Sequence, residues 1–184
     1  MSFTETGLTA ETYLARDFPP RTQLIDGEVV LVNEPRFRHQ RIALYLVGVL
    51  DRWSREQGTG EAGFGSDWVV TDRDVLVPDV WWLREERRPG RDAVRAEGAP
   101  DLAVEVKSPS TWRFDVGLKR AAYERAGALE LWLVELDPDR LVVHRRSMPT
   151  APGFDVHLEL GAGDVLTSPW LPGVEISVDE LFDR

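Results

Sequence analysis

The residues best equipped for chemistry are Asp79, Glu105 and Lys107. Asp79 follows Pro78 within the apolar run VLVPDVWWL, and Glu105 and Lys107 stand two apart in VEVKSPST. A strand has a period of two, which puts Ala103, Glu105 and Lys107 on one face and Val104 and Val106 on the other. Proline removes a ladder donor, so Pro78 marks an edge or bulge where the next side chain is re-aimed. If the two strands are neighbours, Asp79 and Glu105 form paired carboxylate oxygens of the kind a hard divalent cation takes. A lysine beside them supplies a positive charge for a phosphate.

The lysines stand out by their rarity. The chain has two, Lys107 and Lys119, against twenty arginines. A lysine kept in an arginine background suggests a site needing a compact ammonium, which a planar guanidinium cannot replace. Neither Pro-Asp nor Glu-x-Lys is specific alone, since Pro-Asp recurs at Pro100-Asp101 and Pro138-Asp139 and a surface i,i+2 pair is common. Together they end a buried-looking strand, where charges are costly unless they have a task.

The elements that must position these residues follow from periodicity and turn chemistry. A short helix is expected over Thr9–Arg16, with Thr9 as its N-cap. TQLIDGEVVLV reads as a hairpin turning at Asp26-Gly27. Ile42, Leu46, Val49, Leu50 and Trp53 recur at helical spacing, which predicts a helix over Phe37–Gln57 stopped by Gly58. His39 lies near its buried stripe. Strands are expected over Trp68–Thr71, Val75–Leu83, Asp101–Lys107, Glu130–Leu136 and Leu141–Arg146. A short helix is expected over Arg91–Ala96, a turn at SPST and a second long helix over Asp115–Ala126. The tail adds short strands and a helical turn at Val178–Phe182. This order gives an α/β fold, one domain over residues 1–184 with a mixed central sheet flanked by helices.

Composition bounds the function. Apolar content of 42% with seven tryptophans supports a globular core. No cysteine is present, which excludes disulfides, zinc–thiolate sites and cysteine nucleophiles. No run of about 20 apolar residues exists for a membrane helix, and the start MSFTETGL lacks a secretory pattern. A cytoplasmic protein is expected. The net charge of −10 argues against a nucleic-acid partner. Against that, metal-binding carboxylates account for some negative charge, and positive charge is clustered at Arg36, Arg38 and Arg41, at Arg84–Arg95, and at Arg113, Lys119, Arg120 and Arg125. A solvated face is the plain alternative for each cluster. Asp115, Lys119 and Tyr123 are spaced by four and share a helix face, where an ordinary ion pair is the plain explanation.

From LIDGEVV through RFRHQRIALYL, VPDVWWL, EGAPDLAVEVKSPST and DVGLKRAAYERAG to LELWLVE, the chain resembles the Uma-type restriction endonuclease family of the PD-(D/E)XK nuclease superfamily. The resemblance covers about residues 24–146 with order and spacing kept. It implies a restriction-endonuclease-like core and metal-dependent hydrolysis of DNA phosphodiester bonds. By it, Asp79 and Glu105, with the Val106 carbonyl, hold Mg2+, for which Mn2+ substitutes. Lys107 is the catalytic lysine, Glu28 a further metal-binding acid and His39 a helix histidine at the site. Asp115, Lys119 and Tyr123 match the second helix; in relatives with an apolar residue where Lys107 stands, the helix lysine takes over the role, and this chain carries both lysines. Arg38, Arg113, Lys119 and Arg120 are the candidates for contact with the DNA backbone. A homodimer is one assembly this reading allows. The rival readings are a non-catalytic accessory or regulatory protein and a phosphodiesterase acting on another phosphate ester.

Overall fold

The computed structural model describes residues 5–108 and 111–183. Helix α1 (Ala10–Leu14) starts where the Thr9 hydroxyl accepts the Thr12 amide. Strands β1 (Thr22–Ile25) and β2 (Glu28–Leu31) form the hairpin, and Asp26 and Gly27 take φ of 48° and 75° at its turn. Helix α2 (Phe37–Gln57) buries His39, Ile42, Leu46, Leu50 and Trp53 along one face and ends at Gly58, whose φ is 65°. These elements match their expected positions because each has a strong local signal: a cap, a two-residue turn or a sustained 3.6 period.

Next come β3 (Glu61–Gly63), β4 (Asp67–Thr71), β5 (Asp74–Leu76) and β6 (Val80–Leu83). The strand expected over Val75–Leu83 is therefore two strands. They belong to different sheets, and Pro78 stands at the break. A 3-10 turn at Glu85–Arg87 precedes β7 (Arg95–Glu97). The helix expected over Arg91–Ala96 does not form; its end instead pairs in parallel with β4, Trp68 opposite Ala96. Strand β8 (Leu102–Val106) leads to α3 (Trp112–Phe114), a π-helical turn (Asp115–Lys119) and α4 (Arg120–Arg125). The second helix thus begins earlier than expected and widens in its middle. Pro109 and Ser110 of the expected SPST turn lie outside the described residues. The chain continues through β9 (Glu130–Leu136), β10 (Asp139–Arg145), β11 (Val156–Leu160), β12 (Val165–Ser168), β13 (Leu171–Ser177) and α5 (Val178–Phe182).

A six-stranded sheet has the order β11-β10-β9-β8-β6-β3, a five-stranded sheet the order β2-β1-β5-β4-β7, and β12 pairs with β13. Strands β8 and β9 run parallel, and β6 and β8 antiparallel. Alternation along β8 separates two cores. Leu102, Val104 and Val106 pack with Ile42, Leu46 and Leu50 of α2. Ala103 faces the other way, among Phe114, Ala122, Tyr123 and residues of the five-stranded sheet. Each fully buried leucine or valine contributes about 1.5–3 kcal/mol. Glu105 falls on that second face, a carboxylate where the pattern calls for an apolar side chain, 2% exposed.

Candidate active site

Asp79 and Glu105 meet because of strand register. Val80 is opposite Val104, one residue from each carboxylate. Pro78 ends the ladder there, and the Asp79 side chain replaces it: Oδ2 accepts the Val106 amide hydrogen at 2.7 Å. His39, one turn into α2, places Nε2 3.1 Å from the same oxygen. Asp79 Oδ1 makes no hydrogen bond among the described residues, and the side chain is 27% exposed. Burial alone would lower the His39 pKa, but the Asp79 hydrogen bond and charge, with the Val106 carbonyl, raise it overall.

Glu105 is held from the helical side. Tyr123 donates its hydroxyl to Oε1 at 2.9 Å, and the Lys119 ammonium donates to Oε2 at 3.2 Å. Lys119 also lies 2.9 Å from Asp115 Oδ1, and Asp115 Oδ2 accepts the Thr111 hydroxyl at 3.0 Å. Lys119 and Asp115 are each 1% exposed. The π-helical turn carries both residues, a widening often found at functional sites. One ammonium thus serves two carboxylates, Glu105 and Asp115. Burial, joined by the charges of Asp115 and Asp79, outweighs the lowering by Lys119 and by the Tyr123 hydrogen bond and lifts the Glu105 pKa to about 8. Burial also opposes the charge on Lys119, but Glu105 and Asp115 outweigh it and raise its pKa.

The two lysines differ in place. The Lys107 amide still bonds the Val134 carbonyl of β9 at 2.8 Å, but Lys107 does not line the cavity that Glu105 lines. Its Nζ donates to the Asp137 carbonyl at 2.9 Å and lies 5.5 Å from the centre of the Trp112 ring. Lys119, not Lys107, lines the cavity with Asp79 and Glu105. Glu28 is also outside that lining: it sits at the hairpin opposite Ile25. The polar residues that β1 brings are Thr22 and Gln23; Gln23 is 5% exposed and its Oε1 accepts the Val77 amide at 3.2 Å. Its period-two position was readable, but an uncharged amide gave no sign of a site.

The arginines are largely occupied within the fold. Arg38 pairs with Asp139 at 2.5 Å and donates to the Phe182 carbonyl at 2.9 Å. Arg84 and Arg87 hold the buried Asp101, and Arg88 holds Glu61 and Glu85. Arg120 lies 3.7 Å from Glu124, and Arg113 is exposed with its guanidinium over the Phe114 ring. Lys119, 1% exposed, lines the cavity and not the outer surface.

The cavity holding Asp79, Glu105 and Lys119 has a volume of about 270 Å3. Its donors suit a hard divalent cation: Asp79 Oδ1 has no hydrogen-bond partner among the described residues, and Glu105 keeps lone pairs beyond its two hydrogen bonds. Among the described residues no cluster of three or more histidine or carboxylate side chains is disposed around one metal position. The fit is to an ion held by two carboxylates, with water and phosphate completing its shell, as magnesium commonly is.

Fold and site together define a class, a restriction-endonuclease-like α/β domain with carboxylates and a buried lysine where two strands diverge. The family described as Uma2, putative restriction endonuclease, matches residues 10–179, and the chain belongs to it. Among solved structures it is similar to a putative nuclease belonging to DUF820 from Anabaena variabilis. The TM-score is 0.81 at 18% identity, covering 96% of this chain and 98% of that one. At that identity the likeness shows the fold. None of the curated proteins compared matches the chain. Family and fold support a nuclease-like function, and no described helix is long and apolar enough to cross a membrane.

Proposed function

We propose that this chain is a divalent-metal-dependent endonuclease hydrolysing DNA phosphodiester bonds through a single restriction-endonuclease-like domain. The observation that carries the reading is the convergence of Asp79, Glu105 and Lys119 on one cavity. Asp79 and Glu105, with the Val106 carbonyl, would hold Mg2+ or Mn2+. The bound ion would acidify a water and offset charge developing on the phosphate.

The remaining chemistry belongs to the chain's own groups. The Lys119 ammonium, buried and already oriented by Glu105 and Asp115, offers a fixed positive charge to a phosphate oxygen without reorganising. Tyr123 holds Glu105, and Thr111 holds Asp115, so both carboxylates keep their orientation. His39 and the Val106 amide do the same for Asp79. Lys107, tied to the Asp137 carbonyl, has a supporting role at the strand end.

The test is nicking of a supercoiled plasmid and cleavage of labelled oligonucleotides with Mg2+ or Mn2+, for wild type and Glu105→Gln. Wild type should cut and the variant should bind without cutting. Binding without cleavage under either metal supports the accessory-protein reading, which the internal pairing of the arginines and the net charge of −10 also favour. Cleavage of RNA or of a small phosphodiester alone moves the substrate class and keeps the chemistry.

A further inference from the structure

An apolar groove of about 420 Å3 runs beside the acidic cavity, lined by Ala43, Leu44 and Val47 of α2 and by Phe64 between β3 and β4. Pro35, His39, Gly65, Val77 and Asp79 line both spaces. A ligand seated at the carboxylates therefore has the groove as its continuation. Phe64 and Leu44 are 67% and 69% exposed, large apolar surfaces left in water at the mouth of a polar site. Gathered exposed apolar groups beside convergent polar ones mark a ligand position.

Charge narrows the occupant. Most arginines are consumed by internal ion pairs, yet Arg36 and Arg41 make no ion pair or side-chain hydrogen bond among the described residues. Arg36 is the N-cap of α2, and Arg41 lies three positions before Leu44 on its outer face. Arg36 and Arg41 follow the groove-lining Pro35 and Gln40 in the chain, so an occupant with a flat apolar face and adjoining negative charge matches this combination. A nucleotide flanked by phosphates has both. A duplex matches poorly: its phosphate charge, one per about 1.7 Å of axis, meets a chain of net charge −10. Its bases are also stacked out of reach unless flipped.

Resting on the nuclease reading above, we infer that the groove receives an unpaired base adjoining the phosphate at the acidic cavity, stacked on Phe64. The substrate class is then single-stranded or locally unpaired nucleic acid. Base–aromatic stacking is sequence-tolerant, so the groove selects strand state and not base identity.

The probe is a single-stranded oligonucleotide carrying 2-aminopurine, titrated in EDTA so that docking is read without cleavage, with the matched duplex as comparison. Wild type should bind the single strand more tightly and quench the fluorophore. Phe64→Ala should weaken that binding by about 5- to 150-fold, Phe64→Trp should retain it, and both should melt as wild type does. Equal affinity for single strand and duplex, or indifference to Phe64→Ala, overturns the inference. If wild type nicks duplex plasmid while Phe64 is immaterial, the inference fails and the nuclease reading stands. If Phe64-dependent binding persists but nothing is cut with any divalent metal, the nuclease reading fails and base docking stands. Should Phe64→Ala instead turn a dimer into a monomer in sedimentation, the groove is an interface between copies and the inference is overturned.

Discussion

The Asp79 carboxylate accepts the Val106 amide hydrogen at 2.7 Å, doing for β8 what a backbone carbonyl would have done had β6 extended through Pro78. One residue's side chain therefore closes the strand ladder and turns a carboxylate toward the cavity. The same contact leaves Asp79 Oδ1 as the oxygen without a partner among the described residues.

Asp79→Asn keeps an acceptor for Val106 but loses the charge. Wild type should gain roughly 5–10 °C in melting temperature at Mg2+ or Mn2+ about a hundredfold above Kd, because the ion binds only the folded chain. The variant should show no such gain, while its metal-free stability holds or rises as carboxylate repulsion falls. Differential scanning fluorimetry across a metal titration measures both, and equal shifts in the two proteins would remove Asp79 as a ligand.

Lys119 and Lys107 should separate in kinetics. Lys119→Arg retains charge but cannot fit a planar fork between Glu105 and Asp115, so cleavage should drop by about 10²–10³. Lys107→Arg should be mild, since either cation can donate to the Asp137 carbonyl and stack on Trp112. Single-turnover rates, with melting curves to show that Lys119→Arg is folded, decide it. A dominant loss at Lys107 would reverse the assignment.

The carboxylate pair was legible because two local signals coincided, a proline break before Asp79 and a charge ending the buried run at Glu105. Helix α2 was legible because its buried stripe, from His39 to Ser54, persists through about four turns. That the Lys107 side chain reaches the Asp137 carbonyl instead of lining the cavity was not legible, since its amide still bonds Val134 of β9 and only the tertiary partner sets where the ammonium goes. Strand β7 was not legible: RAE has no apolar pattern, and its pairing comes only from β4, distant in sequence. Nor were the arginines' partners, since Arg38 meets Asp139, and Arg87 meets Asp101, by tertiary contact alone.

His144 should make stability depend on pH on the acid side. It faces His157 across β10 and β11, Nδ1 to Nδ1 at 3.4 Å. Burial first, then His157 and Arg120, push its pKa down from 6.5 to about 4, with Glu124 opposing. Below about 6.5 the unfolded chain takes up a proton that the folded chain refuses. Stability should therefore fall as pH drops towards about 4, and this group adds no further loss below that. Melting temperatures between pH 7.5 and 4 should decline less steeply for His144→Phe than for wild type; parallel declines would exclude the histidine as the source.

Asp101 should matter for folding and not for chemistry. It is 1% exposed and accepts the Arg84 amide at 2.9 Å, Arg84 Nε at 3.2 Å and an Arg87 guanidinium nitrogen at 2.7 Å. Removing the acid strands the Arg84 backbone donor and leaves Arg87 with the Ala99 carbonyl and Arg84 with Glu86 at the β6–β8 corner. Breaking a buried pair costs about 3–5 kcal/mol. Both arginines reach solvent, so the loss in Asp101→Ala should be smaller, roughly 2–3 kcal/mol. Asp101→Asn keeps acceptors and should lose less than that. Urea unfolding measures both variants, and cleavage by the folded fraction should match wild type. An Asp101→Ala protein as stable as wild type would show that the arginines are free to serve a ligand, and the acidic chain would then have a positive patch after all.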